Sequence, residues 1–405
     1  MLRFLTAGES HGQALVVIVE GLPAGLPLGE EAIASDLARR QLGYGRGRRM
    51  AIERDRAEIL SGVRHGQTLG SPLALLIRNR DWTNWQHTMS VTPPADDLPG
   101  ARRPLVSRPR PGHADLAGGL KYDRMDLRDV LERASARETA ARVSAGAVAR
   151  ALLSRFGVEI SSHVTRIGDA HLPDASSVTF DRIRQLSPED DVRCVDELVA
   201  AAMRQAVDRA REAGDTVGGT FEVIAHHVPA GLGSYAQWDR KLDGRIGQAI
   251  LSIPAIKAMG FGLAEEVARL PGSAVHDEIV LAGLHASGTI PGLARPTNHA
   301  GGLEGGVTNG EDVRVTVSMK PISTLMKPLR SVDLATMTEA KATVERSDVC
   351  AVPAAAVVGE AAVAWVLAEA FLDRFGGDSM GAIDAAWLAW TTSLARRTAA
   401  TTGPG

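Results

Sequence analysis

The chain has 405 residues, 44% of them hydrophobic and 23% charged, enough for a large buried core. Its formal net charge of −3 excludes a globally basic nucleic-acid binder, and an aromatic content of 4% excludes a base-stacking platform spread along the chain. Two cysteines, Cys194 and Cys350, exclude a disulfide framework and a four-thiolate metal site.

The opening MLRFLTAGESHG has no basic region followed by an apolar one, which predicts a cytoplasmic protein without a secretory signal. Ala14 to Glu20 is short, apolar and β-branched, and reads as a buried strand. Glu30 to Leu42 carries Ile33 and Leu37 at helical spacing and ends at Gly43, a suitable C-cap. Ser71-Pro72 opens a strand that runs through Ile77. Arg128 to Phe156 has no proline and almost no glycine, and reads as one helix of about eight turns. Cys194 to Ala213 reads as a second long helix, stopped at Gly214. Gly219 to His226 and Val313 to Met319 read as strands, and Pro353 to Phe375 as a third long helix ended by Gly376-Gly377. The apolar stretch Ala351 to Ala370 contains Pro353, Glu360 and Glu369, so it reads as a buried helix and not a membrane span.

These elements mix without the strict alternation of a doubly wound sheet, and the expected class is α+β. No stretch reads as a linker or an internal repeat. One domain over residues 1–405 is expected, with long Gly-rich loops building a site and the last residues, about 396–405, disordered.

The basic residues are unevenly chosen. Only Lys121, Lys241, Lys257, Lys320, Lys327 and Lys341 are lysines among 45 basic residues, so 39 are arginines. Codon bias can set such a total, but it does not cluster seven arginines between Arg39 and Arg56, or four between Arg102 and Arg110. Guanidinium forks grip carboxylate and phosphate in a bidentate way that an ammonium does not. A chain neutral on average and locally dense in arginine points to a pocket for a small polyanion.

Several common chemistries fail. No Gly-Lys dipeptide exists for a Walker A loop, the glycines at 43, 45 and 47 follow a helix and not a strand, and neither HExxH nor CxxC occurs. Gly377-Asp378-Ser379-Met380-Gly381 matches GxSxG, yet a long helix precedes it where a nucleophile elbow needs a strand.

Five motifs hold. Gly8-Glu9-Ser10-His11-Gly12 sets a histidine beside a strand end, where it can move protons near neutral pH. Arg108-Pro109-Arg110-Pro111-Gly112-His113-Ala114-Asp115 is stiffened by two prolines and presents two guanidiniums and an imidazole. In Glu132 to Thr139, Arg133 and Arg137 are expected on one helix face, with small Ala134, Ser135 and Ala136 between them. Gly301-Gly302-Leu303-Glu304-Gly305-Gly306 leads into a strand ending Lys320-Pro321-Ile322-Ser323-Thr324, an ammonium and two hydroxyls suited to phosphate. Glu345-Arg346-Ser347-Asp348 sets an aspartate beside an arginine, suited to act as a base or an acceptor.

Together these residues resemble the chorismate synthase family. The resemblance runs from GESHG at Gly8 through RRQLGYGRGRRM (Arg39 to Met50), RPRPGHAD at Arg108 and LERASARET at Leu131. It continues through DGRIGQAILSI at Asp243, GGLEGGVTNG at Gly301, MKPIST at Met319 and ERSDVCAVPAA at Glu345. It implies a βαβ sandwich with long helices between antiparallel sheets, assembled as a homotetramer, with no nucleic-acid or membrane partner. It also implies reduced FMN as cofactor and anti-1,4-elimination of phosphate from 5-enolpyruvylshikimate 3-phosphate, giving chorismate. By this resemblance Ser10, Arg40, Arg46, Arg49, Arg110, Arg137 and Arg346 grip the substrate. Arg133, Ala134, Ser135, Pro254, Ala255, Gly305, Lys320, Pro321, Ile322, Ser323, Thr324 and Arg346 hold FMN. His11 would be the acid near the departing phosphate and His113 the acid near the reduced flavin, with Asp348 supporting flavin N5 as it removes the ring hydrogen. No metal is implied.

The resemblance departs at one place. The family commonly has an amide side chain where Pro254 stands, and proline offers neither a side-chain hydrogen bond nor a backbone N–H. Contact there would have to come from Ala255 or the Pro254 carbonyl. Two other readings compete: an NADPH-consuming flavin oxidoreductase, with Arg40 and Arg46 meeting the nicotinamide nucleotide, and an RNA-binding protein using its arginine clusters. NADPH also enters the main reading as a reductant of the flavin. Phosphate release without stoichiometric reductant argues against the first competitor; binding that falls steeply with salt and ignores FMN would favour the second.

Overall fold

The computed structural model describes residues 1–47, 54–93, 105–282, 288–345 and 347–398. Two antiparallel sheets enclose a layer of helices. The first sheet joins β1 (Arg3–Ala7), β2 (Ala14–Glu20), β3 (Ala57–Ser61) and β4 (Leu73–Arg78) in the order β1-β2-β4-β3. In β2, Leu15, Val17 and Val19 are fully buried and face the helices, as do Leu73, Leu75 and Ile77 of β4. The second sheet has β5 (Glu159–Ile167), β6 (Ala170–His171), β7 (Gly219–His226), β8 (Ile256–Phe261) and β9 (Val313–Met319), in the order β8-β9-β7-β5-β6.

Between the sheets lie α1 (Glu30–Gln41), α4 (Thr139–Ser154) and α7 (Val352–Phe375), with α2 (Asp115–Tyr122) and α3 (Arg128–Leu131) in the loops ahead of α4. α4 packs on the first sheet, α7 on the second, and the two helices pack on each other. Their closest approach is made possible by Gly146, where a Cβ would come within 2.5 Å of Ala361 Cα. α7 begins with Pro353 in its first turn and ends at Gly376, whose φ of 63° suits glycine. It is the one described helix long and apolar enough to cross a membrane, and 83% of its most apolar window is buried in the protein. At the centre of this layer the fully buried Glu360 carboxylate meets Arg39 Nη1 and Nη2 at 2.8 and 2.7 Å, Arg150 Nη2 at 2.7 Å and Ser162 Oγ at 2.6 Å.

α5 (Glu197–Glu212), α6 (Leu242–Leu251) and α8 (Met380–Thr398) complete the shell. The observed architecture is the expected α+β sandwich, and most predicted elements hold within a few residues. The helix expected over Arg128 to Phe156 does not. α3 ends at Leu131, Ser135 is extended (ψ 144°), and the helix restarts as a 3₁₀ turn at Ala136 before α4. Ser135 caps that turn by accepting the Arg137 N–H, a local bond that overrides a favourable helical composition. Arg133 and Arg137 therefore do not share a helix face. α8 also runs to Thr398, past the point near 396 where disorder is expected; residues 399–405 lie outside the described part. The GxSxG match is a turn leading into α8.

Candidate active site

The break between α3 and α4 is where the loops meet. Ser10 N–H donates to the Glu132 carbonyl at 2.9 Å, and Ser135 Oγ lies 3.1 Å from Ser10 Oγ. His11 puts Nδ1 at 2.9 and 3.0 Å from the two Glu132 carboxylate oxygens, and its backbone N–H donates to Oε2 at 2.9 Å. Its ring stacks on Trp85, centroids 3.7 Å apart at 21°. Arg128 Nη1 reaches Glu132 at 3.2 Å, and its guanidinium lies over the Trp85 ring, 5.3 Å from its centre. Burial alone would raise the Glu132 carboxyl, but hydrogen bonds and charge from His11, with Arg128, hold it below the usual range.

Beside this pair is a basin of guanidiniums. Arg40, at the end of α1, donates Nε to Thr139 Oγ1 at 2.9 Å and Nη2 to the Ala136 carbonyl at 3.0 Å. Arg137 donates Nε to Asn79 Oδ1 at 2.9 Å and Nη1 to both Asp55 oxygens at 2.6 and 2.7 Å. Asp55 Oδ2 is 3.5 Å from Arg40 Nη1, which has no hydrogen-bond partner among the described residues. Arg46 Nη1 meets Asp348 at 2.7 Å, and the Gly47 N–H donates to the same carboxylate at 2.6 Å. Burial pushes the Arg40 guanidinium down to about 9, and the charges of Arg46 and Arg137 push the same way against Asp55 and Asp348. Among the described residues, Asp55 and Asp348 are the carboxylates that these three arginines meet.

The second imidazole repeats the arrangement of the first. His113 Nδ1 is 2.6 Å from Asp115 Oδ1, and Arg110 grips Asp115 through Nε at 2.8 Å and Nη2 at 3.0 Å. Burial would raise the Asp115 carboxyl; hydrogen bonds from His113 and Arg110 and the Arg110 charge hold it well below the usual range. Arg110 Nη1 continues to Thr324 Oγ1 at 3.0 Å, tying this loop to the Lys320–Thr324 segment. Gly112, at φ 81°, sits against Ser323 and Lys320: a Cβ there would lie 3.6 Å from Lys320 Nζ. Burial and the neighbouring Lys257 charge lower the Lys320 ammonium, and among the described residues neither lysine has a carboxylate within 4.0 Å. Two cations without a counter-ion fit the phosphate of a nucleotide-like cofactor. Ala255, whose carbonyl accepts the Lys320 N–H at 3.0 Å, holds a left-handed φ of 69° that a residue with a Cβ seldom adopts.

The structure thus joins the Ser10, His11, Arg40, Arg46, Ser135, Arg137 and Asp348 motifs in one group. The group of Arg110, His113, Ala255, Lys320, Ser323 and Thr324 adjoins it, where Leu127 and Leu131 of α3 pack with Val106 and where Arg128 comes within 3.8 Å of Glu345. Arg133 instead lies exposed, donating to the Gly8 and Thr6 carbonyls at 3.0 and 3.1 Å. Gly305 is not brought to Lys320. Arg314 N–H donates to the Gly301 carbonyl at one end of β9, while Lys320 follows the other end of the strand, about 20 Å away at 3.4 Å per residue. α6 gives the same answer, since Gly306 meets its first residue, Leu242, and Ala255 lies past its last. Arg49 and Arg346 lie outside the described residues. Asp55, Asn79, Trp85, Asp115 and Glu132 are site residues that sequence reasoning passed over. Asp115 and Glu132 stood inside quoted motifs, whereas Asp55, Asn79 and Trp85 carry no local signal.

Guanidiniums placed for anions and imidazoles placed for protons define the class: an enzyme that handles a small polyanion by acid–base chemistry. A sequence profile described as chorismate synthase matches residues 2–372. The chain is 55% identical over 388 residues to the chorismate synthase of Geobacter sulfurreducens, covering 95% of this chain and 96% of that one. It is 58% identical over 383 residues to that of Moorella thermoacetica, again covering 95% and 96%. A crystal structure of chorismate synthase superposes with a TM-score of 0.77 at 42% identity, covering 97% of this chain and 98% of that one. The chain belongs to the chorismate synthase family, carbon–oxygen lyases of the shikimate pathway whose reaction requires a reduced flavin.

Proposed function

We propose that the protein eliminates phosphate from 5-enolpyruvylshikimate 3-phosphate in the anti-1,4 sense to give chorismate, with FMN as its flavin. The observation that carries the substrate class is the arginine basin, where Arg40, Arg46 and Arg137 converge around Asp55 and Asp348 and Arg40 Nη1 has no hydrogen-bond partner among the described residues. A ligand with two carboxylates and a phosphate answers such a cluster of guanidiniums, and by the family resemblance Arg49 and Arg346 would join them. Arg110 contributes less directly, because Asp115 and Thr324 already take most of its donors.

Lys320 with Pro321, Ile322, Ser323 and Thr324 would hold the FMN phosphate, with Ala134, Ser135, Pro254 and Ala255 along the cofactor. Arg133 supports that wall from behind by bracing the Thr6 to Gly8 backbone. Gly305 stands outside this grouping. Reduced flavin supplies electron density that the substrate needs as phosphate departs. The chain supplies the proton handling: His11 protonates the departing phosphate, His113 keeps a proton near the flavin edge, and Asp348, oriented by Arg46 and Gly47 N–H, takes part in removing the ring hydrogen. NADPH meeting Arg40 and Arg46 would serve as flavin reductant. The enzyme works in the cytoplasm as a homotetramer.

Anaerobic turnover with dithionite-reduced FMN tests the reading. Phosphate and chorismate should appear together in equal amounts, without stoichiometric consumption of reductant. Phosphate without chorismate would sink it.

A further inference from the structure

We propose that Glu132 and Asp115 are positioning residues, each a buried carboxylate that fixes the ring orientation and tautomer of one active-site histidine, His11 and His113 respectively. The inference rests on the proton roles given to those histidines above. It adds the groups that make such roles directional.

The two sites have unrelated sequences and a similar construction, although at the second the bracing arginine also touches the imidazole, Arg110 Nη2 lying 3.1 Å from His113 Nδ1. In each, a carboxylate at most 2% exposed takes the histidine Nδ1 and is itself braced by an arginine nearby in sequence: Arg128 for Glu132, Arg110 for Asp115. At the first site Glu132 takes both the ring Nδ1 and the backbone N–H of His11, so ring and main chain are held by one group. Trp85, stacked on the imidazole, removes the remaining freedom of rotation about the ring axis. At the second site Arg110 grips both Asp115 oxygens and its own backbone N–H donates to Oδ2 at 3.0 Å, so the carboxylate cannot turn away from His113.

The chemical consequence follows from what a carboxylate accepts. An imidazole whose Nδ1–H donates to an anionic oxygen keeps that proton in either charge state, so exchange with a ligand falls to Nε2. Among the described residues, the charged groups facing His11 are Glu132, Arg128 and, behind Arg128, Glu345; those facing His113 are Asp115 and Arg110, with Lys320 beside Gly112. Each arginine helps keep its carboxylate anionic despite its burial.

The experiment uses full-length Glu132→Gln and Asp115→Asn, with Glu132→Ala and Asp115→Ala as the more disruptive pair. ¹⁵N spectra of histidine-labelled protein should show Nδ1 protonated in the wild type for both rings. His11 should become a tautomer mixture in E132A, and His113 in D115A. In the amide variants kcat should fall on the order of tenfold or more with substrate KM within about twofold. Retained circular dichroism and thermal midpoint separate this from misfolding. The proposal is overturned if either histidine carries its proton on Nε2 in the wild type, or if the amide variants keep wild-type kcat. His11→Ala with near wild-type turnover would instead defeat the proton role of His11, while the tautomer spectra would still decide what Glu132 does.

Discussion

Replacing Glu360 by glutamine tests whether the helix layer depends on one buried charge. Glu360 is fully buried and answers Arg39, Arg150 and Arg193, the last at 3.3 Å, with Asp36 as the only other carboxylate on Arg39 and Arg150 among the described residues. Burial would raise the Glu360 carboxyl, but the charges of those arginines hold it far below its ordinary 4.5. Glutamine preserves shape and removes the charge, leaving three guanidiniums around a single aspartate and pointing an amide N–H at donors. Removing one partner of a buried ion pair costs about 3–5 kcal/mol, two to four orders of magnitude in the unfolding equilibrium. Ser162→Ala, which deletes one hydrogen bond to the same carboxylate, costs only about 1 kcal/mol and sets the scale. Because the folded-state value is depressed, this stabilisation is complete above pH 4.5 and is lost as pH falls toward the folded value. Urea unfolding followed by circular dichroism at neutral and acidic pH measures both effects. An E360Q midpoint no lower than that of S162A, or an unchanged acid limb, would refute the argument.

Three further outcomes follow from the same geometry. Gly146→Ala should destabilise by about 1–3 kcal/mol despite alanine's better helix propensity, because its Cβ would overlap the Ala361 backbone; thermal unfolding reads this. Arg40→Lys keeps the charge but loses the fork to Thr139, Ala136 and Asp55, and should raise substrate KM on the order of tenfold in anaerobic steady-state kinetics. His226, hydrogen-bonded to Asp312 at 2.6 Å and stacked on Phe180, is raised above 6.5, first by that bond. Its stabilisation is therefore full below 6.5 and lost as pH rises through the folded value, and Asp312→Asn should return the NMR titration of His226 toward 6.5 and flatten that loss.

The amino-acid sequence by itself determined four of the nine sheet strands, the long helices α1, α5 and α7, and much of the chemical inventory of the site. Strands such as Ala14–Glu20 were legible because a short apolar, β-branched run is local information. Motif residues such as His11, His113 and Asp348 were legible because histidine, proline, glycine and arginine crowd into short loops there. Tertiary structure alone decided the rest. At the break the local Ser135 cap is joined by bonds from Ser10 and His11, more than a hundred positions away, which no window of the helical sequence could show. Asp55 and Asn79 are ordinary polar residues until Arg40 and Arg137 arrive beside them. The same holds for Arg133 and Gly305, which resemblance grouped with the cofactor and folding placed against the Gly8 backbone and at the far end of β9. A buried charge is tolerable only when its partner is supplied in three dimensions, and the chain order does not say which arginine will meet which carboxylate.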